Sequence, residues 1–86
     1  MKSPVGGFDW DEGNAEKCQK HGVSIVEIES LFQRPFAVVS DVEHSKAEER
    51  LIAIGESDQG RYILIVFTRR ERQGETFIRP ISARYM

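Results

Sequence analysis

The spacing of apolar residues changes once along the chain, from helical to alternating, and the change falls at Pro35. Before it, Ile25, Ile28, Leu31 and Phe32 recur three and four positions apart, which predicts a helix with one apolar face. Ser24 followed by Glu27 reads as a capping box at its start, and Pro35 ends it. Further upstream, residues 8–10 form a short aromatic segment, a candidate edge strand. Asp11 and Glu12 then place negative charge where a helix N-terminus favours it. That first helix is expected to run through Ala15, Lys17 and Cys18 to Lys20, with Gly13 weakening it and Gly22 stopping it. The connection 22–24 is short, so the two helices are expected to form a hairpin.

After Pro35 the pattern is that of strands. Residues 36–41, 50–56, 61–70 and roughly 75–84 are strand candidates, with a polar loop at 42–49. Ser57 to Gly60 and Glu71 to Gly74 carry the turn residues between successive strands. Short sequential connections imply antiparallel pairing. In the third candidate Tyr62, Leu64 and Val66 alternate with Ile63, Ile65 and Phe67, so both faces are apolar and a central position follows. Pro80 cannot donate to a ladder, which places the last strand at an edge or puts a bulge there. The expected fold is α+β: an N-terminal helical pair packed on one side of a four-stranded antiparallel sheet.

Eighty-six residues, 40% of them hydrophobic and 30% charged, make a single globular domain spanning 1–86. The function must then sit on the elements that build the fold. The longest apolar run, around residues 62–67, is far short of the ~20 residues a bilayer crossing needs, and no signal-peptide pattern opens the chain. Cys18 is the only cysteine, which excludes an internal disulfide and fits a reducing compartment. A cytoplasmic protein with no membrane partner is expected.

The formal net charge of -2 conceals an asymmetry. Residues 1–60 carry six basic against twelve acidic side chains, whereas residues 61–86 carry six arginines against Glu71 and Glu75. Arginine presents a planar fork suited to phosphate. A solvated strand face explains the same charges equally well.

Motifs narrow the chemistry. Cys18 and His21 lie three apart, but His44 sits far off and a zinc site needs three or four ligands, so no metal is expected. No P-loop, dinucleotide fingerprint or G-x-S-x-G is present, and no cofactor is expected. RNA cleavage demands less, because the 2′-hydroxyl of the substrate is itself the nucleophile. The protein need supply only proton-transfer groups and cations. Lys20 and His21 are candidates for the former, Arg70 and Arg79 for the latter, with Thr68 a hydrogen-bond donor. Arg70 is preferred to Arg69 because it shares a strand face with Thr68. Each has a plainer reading: His21 and Lys20 as helix C-terminal cations, Trp10 as core rather than a base-stacking platform, and Glu48, Glu49 and Arg50 as surface ion pairs.

The segment FDWDEGNAEKCQKHGVS at 8–24 resembles the opening of BrnT-family toxins, and later pieces agree in order. HSKAEER at 44–50, Ile54 with Gly55, Gly60 with Arg61, VFTRR at 66–70 and IRPISARYM at 78–86 are all similar to the family pattern. The resemblance implies a RelE-like fold and a metal-independent endoribonuclease that arrests translation. It also implies a cognate BrnA-like antitoxin of the ribbon-helix-helix class, with DNA contacted only through the toxin and antitoxin complex. Lys20, His21, Thr68, Arg70 and Arg79 fall in matching segments as catalytic candidates, and Arg69, Ser82 and Arg84 as phosphate-binding ones. Family members continue past the ISAR segment into a basic helical tail, so a chain closing at Met86 is expected to lack it. The competing expectation is a non-catalytic module that binds an antitoxin or another acidic partner through the same arginines.

Overall fold

The computed structural model describes residues 5–41, 43 and 48–86. Strand β1 (Val5–Phe8) leads into helix α1 (Glu12–Cys18) and helix α2 (Ile25–Leu31), followed by strands β2 (Phe36–Ser40), β3 (Leu51–Glu56), β4 (Tyr62–Arg72) and β5 (Glu75–Tyr85). The strands form one sheet in the order β1-β5-β4-β3-β2, with β4 at its centre as its two apolar faces predict. Most of the loop at 42–49, including His44, lies outside the described residues.

The sheet has five strands and is mixed, not four and antiparallel. The added strand is β1, which pairs parallel with β5 from Val5 against Thr76 to Phe8 against Ile78. Its sequence, Val-Gly-Gly-Phe, has no alternation to announce a strand. The glycines instead permit close approach: a Cβ on Gly6 would stand 3.0 Å from Cζ of Phe77. The aromatic segment at 8–10 is therefore the exit from β1 rather than a strand of its own.

Both helices begin on side-chain caps, though not as expected. The reciprocal box belongs to α1: Oδ1 of Asp11 accepts from the Asn14 backbone N–H at 2.9 Å, and Oδ1 of Asn14 accepts from the Asp11 N–H at 2.7 Å. At α2 only half of the predicted box forms. Ser24 Oγ accepts from the Glu27 N–H at 3.1 Å, while the Glu27 carboxylate turns inward. There it accepts from Ser57 Oγ and Tyr85 Oη, each at 2.6 Å. Helix α1 stops at Cys18, short of Lys20, and the chain turns through His21 to Gly22, whose φ of +91° suits glycine.

The β4–β5 hairpin closes on Gln73 and Gly74, both at positive φ, the two-residue turn that matches strand twist. Further along, Phe67 faces Pro80 but Val66 faces Ser82, so Ile81 is bulged out. Strand β1 has left the β5 edge by this point, and the Asn14 amide donates to the Pro80 carbonyl at 2.8 Å. Proline's missing donor and an exposed acceptor are thereby accommodated at one place.

One sheet face carries the core. Leu51, Ala53, Ile63, Ile65, Phe67, Ile78 and Ala83 are buried with Cys18, Val23, Ile28 and Leu31 from the helical layer. Phe32 joins them to the rim, its ring 5.3 to 5.7 Å from those of Phe67 and Phe8. Each large aliphatic side chain so buried contributes about 1.5–3 kcal/mol.

Candidate active site

Strand alternation sends every second residue of the same strands to the opposite face, which the helices do not cover. Ile52, Ile54, Leu64 and Val66 are half-buried there. Cross-strand register then fixes the polar residues. Thr68 pairs with Arg79, Arg70 with Phe77, Val66 with Ser82, and Leu64 with Arg84. Directly opposed residues share a face, so Thr68, Arg70, Arg79, Ser82 and Arg84 all belong to this open side.

His21 reaches the same side from the turn after α1. It lines a hollow of about 340 Å³ together with Asp41, Leu64, Val66, Ser82 and Arg84. Thr68 and Arg79 lie one strand step beyond the Val66 and Ser82 pair, roughly 7 Å along the sheet. The open face thus holds two neighbouring groups, one around His21 and Arg84, the other around Thr68, Arg70 and Arg79. Lys20 is exposed beside His21 and does not line the hollow. Arg69 points to the helix side, where it pairs with Glu49 at 3.0 Å.

The second group is strongly organised by charge. Arg79 is only 19% exposed and donates from Nη2 to Asp11 at 2.8 Å, with Asp9 3.6 Å from its Nη1. The hydrogen bond to Asp11 holds the guanidinium yet more firmly protonated, against the opposing effect of burial. In turn Asp11 is held below the usual carboxylate range, first by the Asn14 backbone N–H and then by Arg79. Arg70 donates from Nε and Nη2 to the two carboxylate oxygens of Glu48 at 2.9 and 3.2 Å. Opposite Arg79 and on the same face as Arg70, the Thr68 hydroxyl is buried and has no hydrogen-bond partner among the described residues. An orphaned buried hydroxyl costs about 1–3 kcal/mol.

Other candidates fall to packing. Trp10 rests against the core and donates from Nε1 to Glu29 at 2.8 Å, so the core reading holds. Cys18 is fully buried, and burial pushes its thiol up to about 11. Among the described residues no group of three His, Cys, Asp or Glu side chains is placed to hold a metal ion. The sequence reading passed over Glu48 as an engaged group at the site. It also gives Asp11 to the helix N-terminus alone. Asp11 does cap α1, but its partner Arg79 is 68 residues away, a pairing no local spacing discloses.

The fold is an α+β domain, a helix-backed sheet whose uncovered face gathers Arg70, Arg79 and Arg84 around a hydroxyl that is buried and unpartnered among the described residues. The chain belongs to the BrnT family: residues 10–86 match the family described as the ribonuclease toxin, BrnT, of type II toxin-antitoxin systems. Membership implies RNA as substrate and an antitoxin as partner. No curated protein matches the chain closely enough to add to this. No helix in the described residues is long and apolar enough to cross a membrane.

Proposed function

We propose that this protein is a cytoplasmic, metal-independent endoribonuclease that cuts RNA on its open sheet face and thereby arrests translation. The observation that carries the reading is the gathering of Thr68, Arg70 and Arg79 on one open face, Thr68 directly opposite Arg79 and its hydroxyl unpartnered among the described residues. The two guanidinium groups present N–H donors to a phosphate oxygen on that face, beside the Thr68 position. Because the 2′-hydroxyl of RNA is the attacking group, cations can neutralise the charge that grows on the phosphorane without a metal ion. His21 and Lys20 supply proton transfer from the turn beside the face, and Arg84 with Ser82 holds the neighbouring phosphate. Arg69, on the other side of the sheet, has no part in this arrangement.

The helix-on-sheet layering agrees with a RelE-like architecture. The antitoxin is read as a BrnA-like ribbon-helix-helix protein, through which alone the toxin approaches DNA. Purified protein is expected to degrade RNA in EDTA. Cleavage that stops with chelator and returns with a divalent cation would overturn the metal-free mechanism. Expression is expected to halt protein synthesis and growth until the antitoxin is co-expressed. A harmless chain that still bound the antitoxin would establish instead the non-catalytic module.

A further inference from the structure

The two-part site described above contains cations and, in His21 and Lys20, groups suited to donate a proton, but in-line cleavage also requires a base for the 2′-hydroxyl. We propose that Glu48 is that base, and that Arg70 is the group that aims it. The inference rests on the ribonuclease reading given above.

Three observations place the Glu48 carboxylate at the reacting position. First, Arg70 grips it through two N–H donors, a fork geometry that fixes the plane of the carboxylate. Each carboxylate oxygen accepts one of those donors and keeps a second lone pair for a substrate proton. Second, the carboxylate is 40% exposed and its arginine 42%, so a ribose can reach them without the pair breaking. Third, its charge also acts on Arg79, across from which the buried Thr68 hydroxyl lacks a partner among the described residues. Base, cations and unoccupied donor therefore share one corner of the open face. Among the described residues the charged groups facing Glu48 are Arg70 from β4 and Arg79 from β5, the latter backed by Asp11 and Asp9.

In the proposed step Glu48 takes the 2′-hydroxyl proton as the 2′-oxygen bonds to phosphorus. The bond from phosphorus to the 5′-oxygen breaks, and that oxygen takes a proton from the His21 imidazolium. The products are a 2′,3′-cyclic phosphate and a 5′-hydroxyl end. Arg70 keeps its Nη1 group, which makes no hydrogen bond among the described residues, to donate to a non-bridging oxygen. A pair that merely blocked the site would behave oppositely, since its removal would strengthen RNA binding and speed cleavage.

The test compares wild type, Glu48→Gln, Glu48→Asp and Glu49→Gln on one RNA oligonucleotide, with binding measured on the same oligonucleotide bearing a 2′-deoxy scissile nucleotide. Glu48→Gln is expected to lower kcat about 10²- to 10⁴-fold and to remove the acid limb of the pH profile, while affinity for the 2′-deoxy oligonucleotide is kept. Glu48→Asp should recover part of kcat. Glu49→Gln, on the opposite side of the sheet, should cleave as wild type does. Full activity in Glu48→Gln, or tighter binding with faster cleavage, would overturn the proposal, and Asp41 in the His21 hollow would then be the carboxylate to examine. A wild-type protein that cleaves no RNA would instead remove the ribonuclease reading itself.

Discussion

The two faces of the sheet are made from the same strands and have opposite assignments. On the helix side, Ile63, Ile65 and Phe67 are buried among aliphatic neighbours and every polar group is absent from mid-strand. On the open side, one residue out of step, the same stretch of β4 leads from Leu64 and Val66 to a buried hydroxyl and a half-exposed arginine. The first face fixes the fold and the second is free to carry chemistry, because alternation lets one strand satisfy both without compromise. Stability and activity should accordingly separate by residue parity along β4.

The largest test of that separation is Ile65→Ala. Removing a fully buried aliphatic side chain is expected to cost about 2–5 kcal/mol, read as a lower urea midpoint, with activity falling only as the folded fraction falls. Next in size is Arg70→Ala on the other face, expected to reduce kcat about 10²- to 10³-fold while the melting temperature barely moves. Equal damage to both quantities in either variant would end the division.

The division sharpens at a residue where the two demands meet. Glu27 lies under the helices with Ser57 and Tyr85 as donors, and Arg61 is stacked 3.5 Å over the Tyr85 ring. Glu27→Gln is expected to lose about 1.5–3 kcal/mol, measured by denaturant titration, without altering cleavage by the remaining folded protein. Thr68→Val should do the reverse. It keeps the shape and removes an unpartnered hydroxyl, so stability is expected to rise by about 1 kcal/mol as cleavage weakens.

The smallest effect is that of pH on Asp11. Its folded value lies below the ordinary 3.8, so its ionised form stabilises the fold fully above that value and the benefit is lost as pH falls through the lower folded one. Asp11→Asn, which can still cap α1, should lack this component of the fall in melting temperature as the pH drops below the ordinary carboxylate range.

Period and punctuation made much of this molecule legible. The helices, the four later strands and the central place of β4 follow from spacing, proline and glycine. The strand β1 did not, because two glycines against Phe77 leave no hydrophobic signal and its partner is some seventy residues away. Parity also placed Arg70, and not Arg69, on the face of Thr68 and Arg79. What parity could not give was the identity of the carboxylates holding each arginine, since Glu48, Asp9 and Asp11 reach Arg70 and Arg79 only through the finished sheet. The cap at α2 shows the same boundary: the sequence placed Glu27 correctly in the first turn, and tertiary donors took its carboxylate elsewhere.

The strand order also bears on when the molecule can come into being as the ribosome makes it. Strand β5, synthesised after all the others, lies between β1 and β4, and it brings Arg79 and Arg84 with it. A nascent chain that has emerged only through β4 has a meander of three strands, no partner for its opening strand and neither of those cations. The open face therefore gains Arg79 and Arg84 only when β5 inserts between β1 and β4, in one late step that completes the sheet.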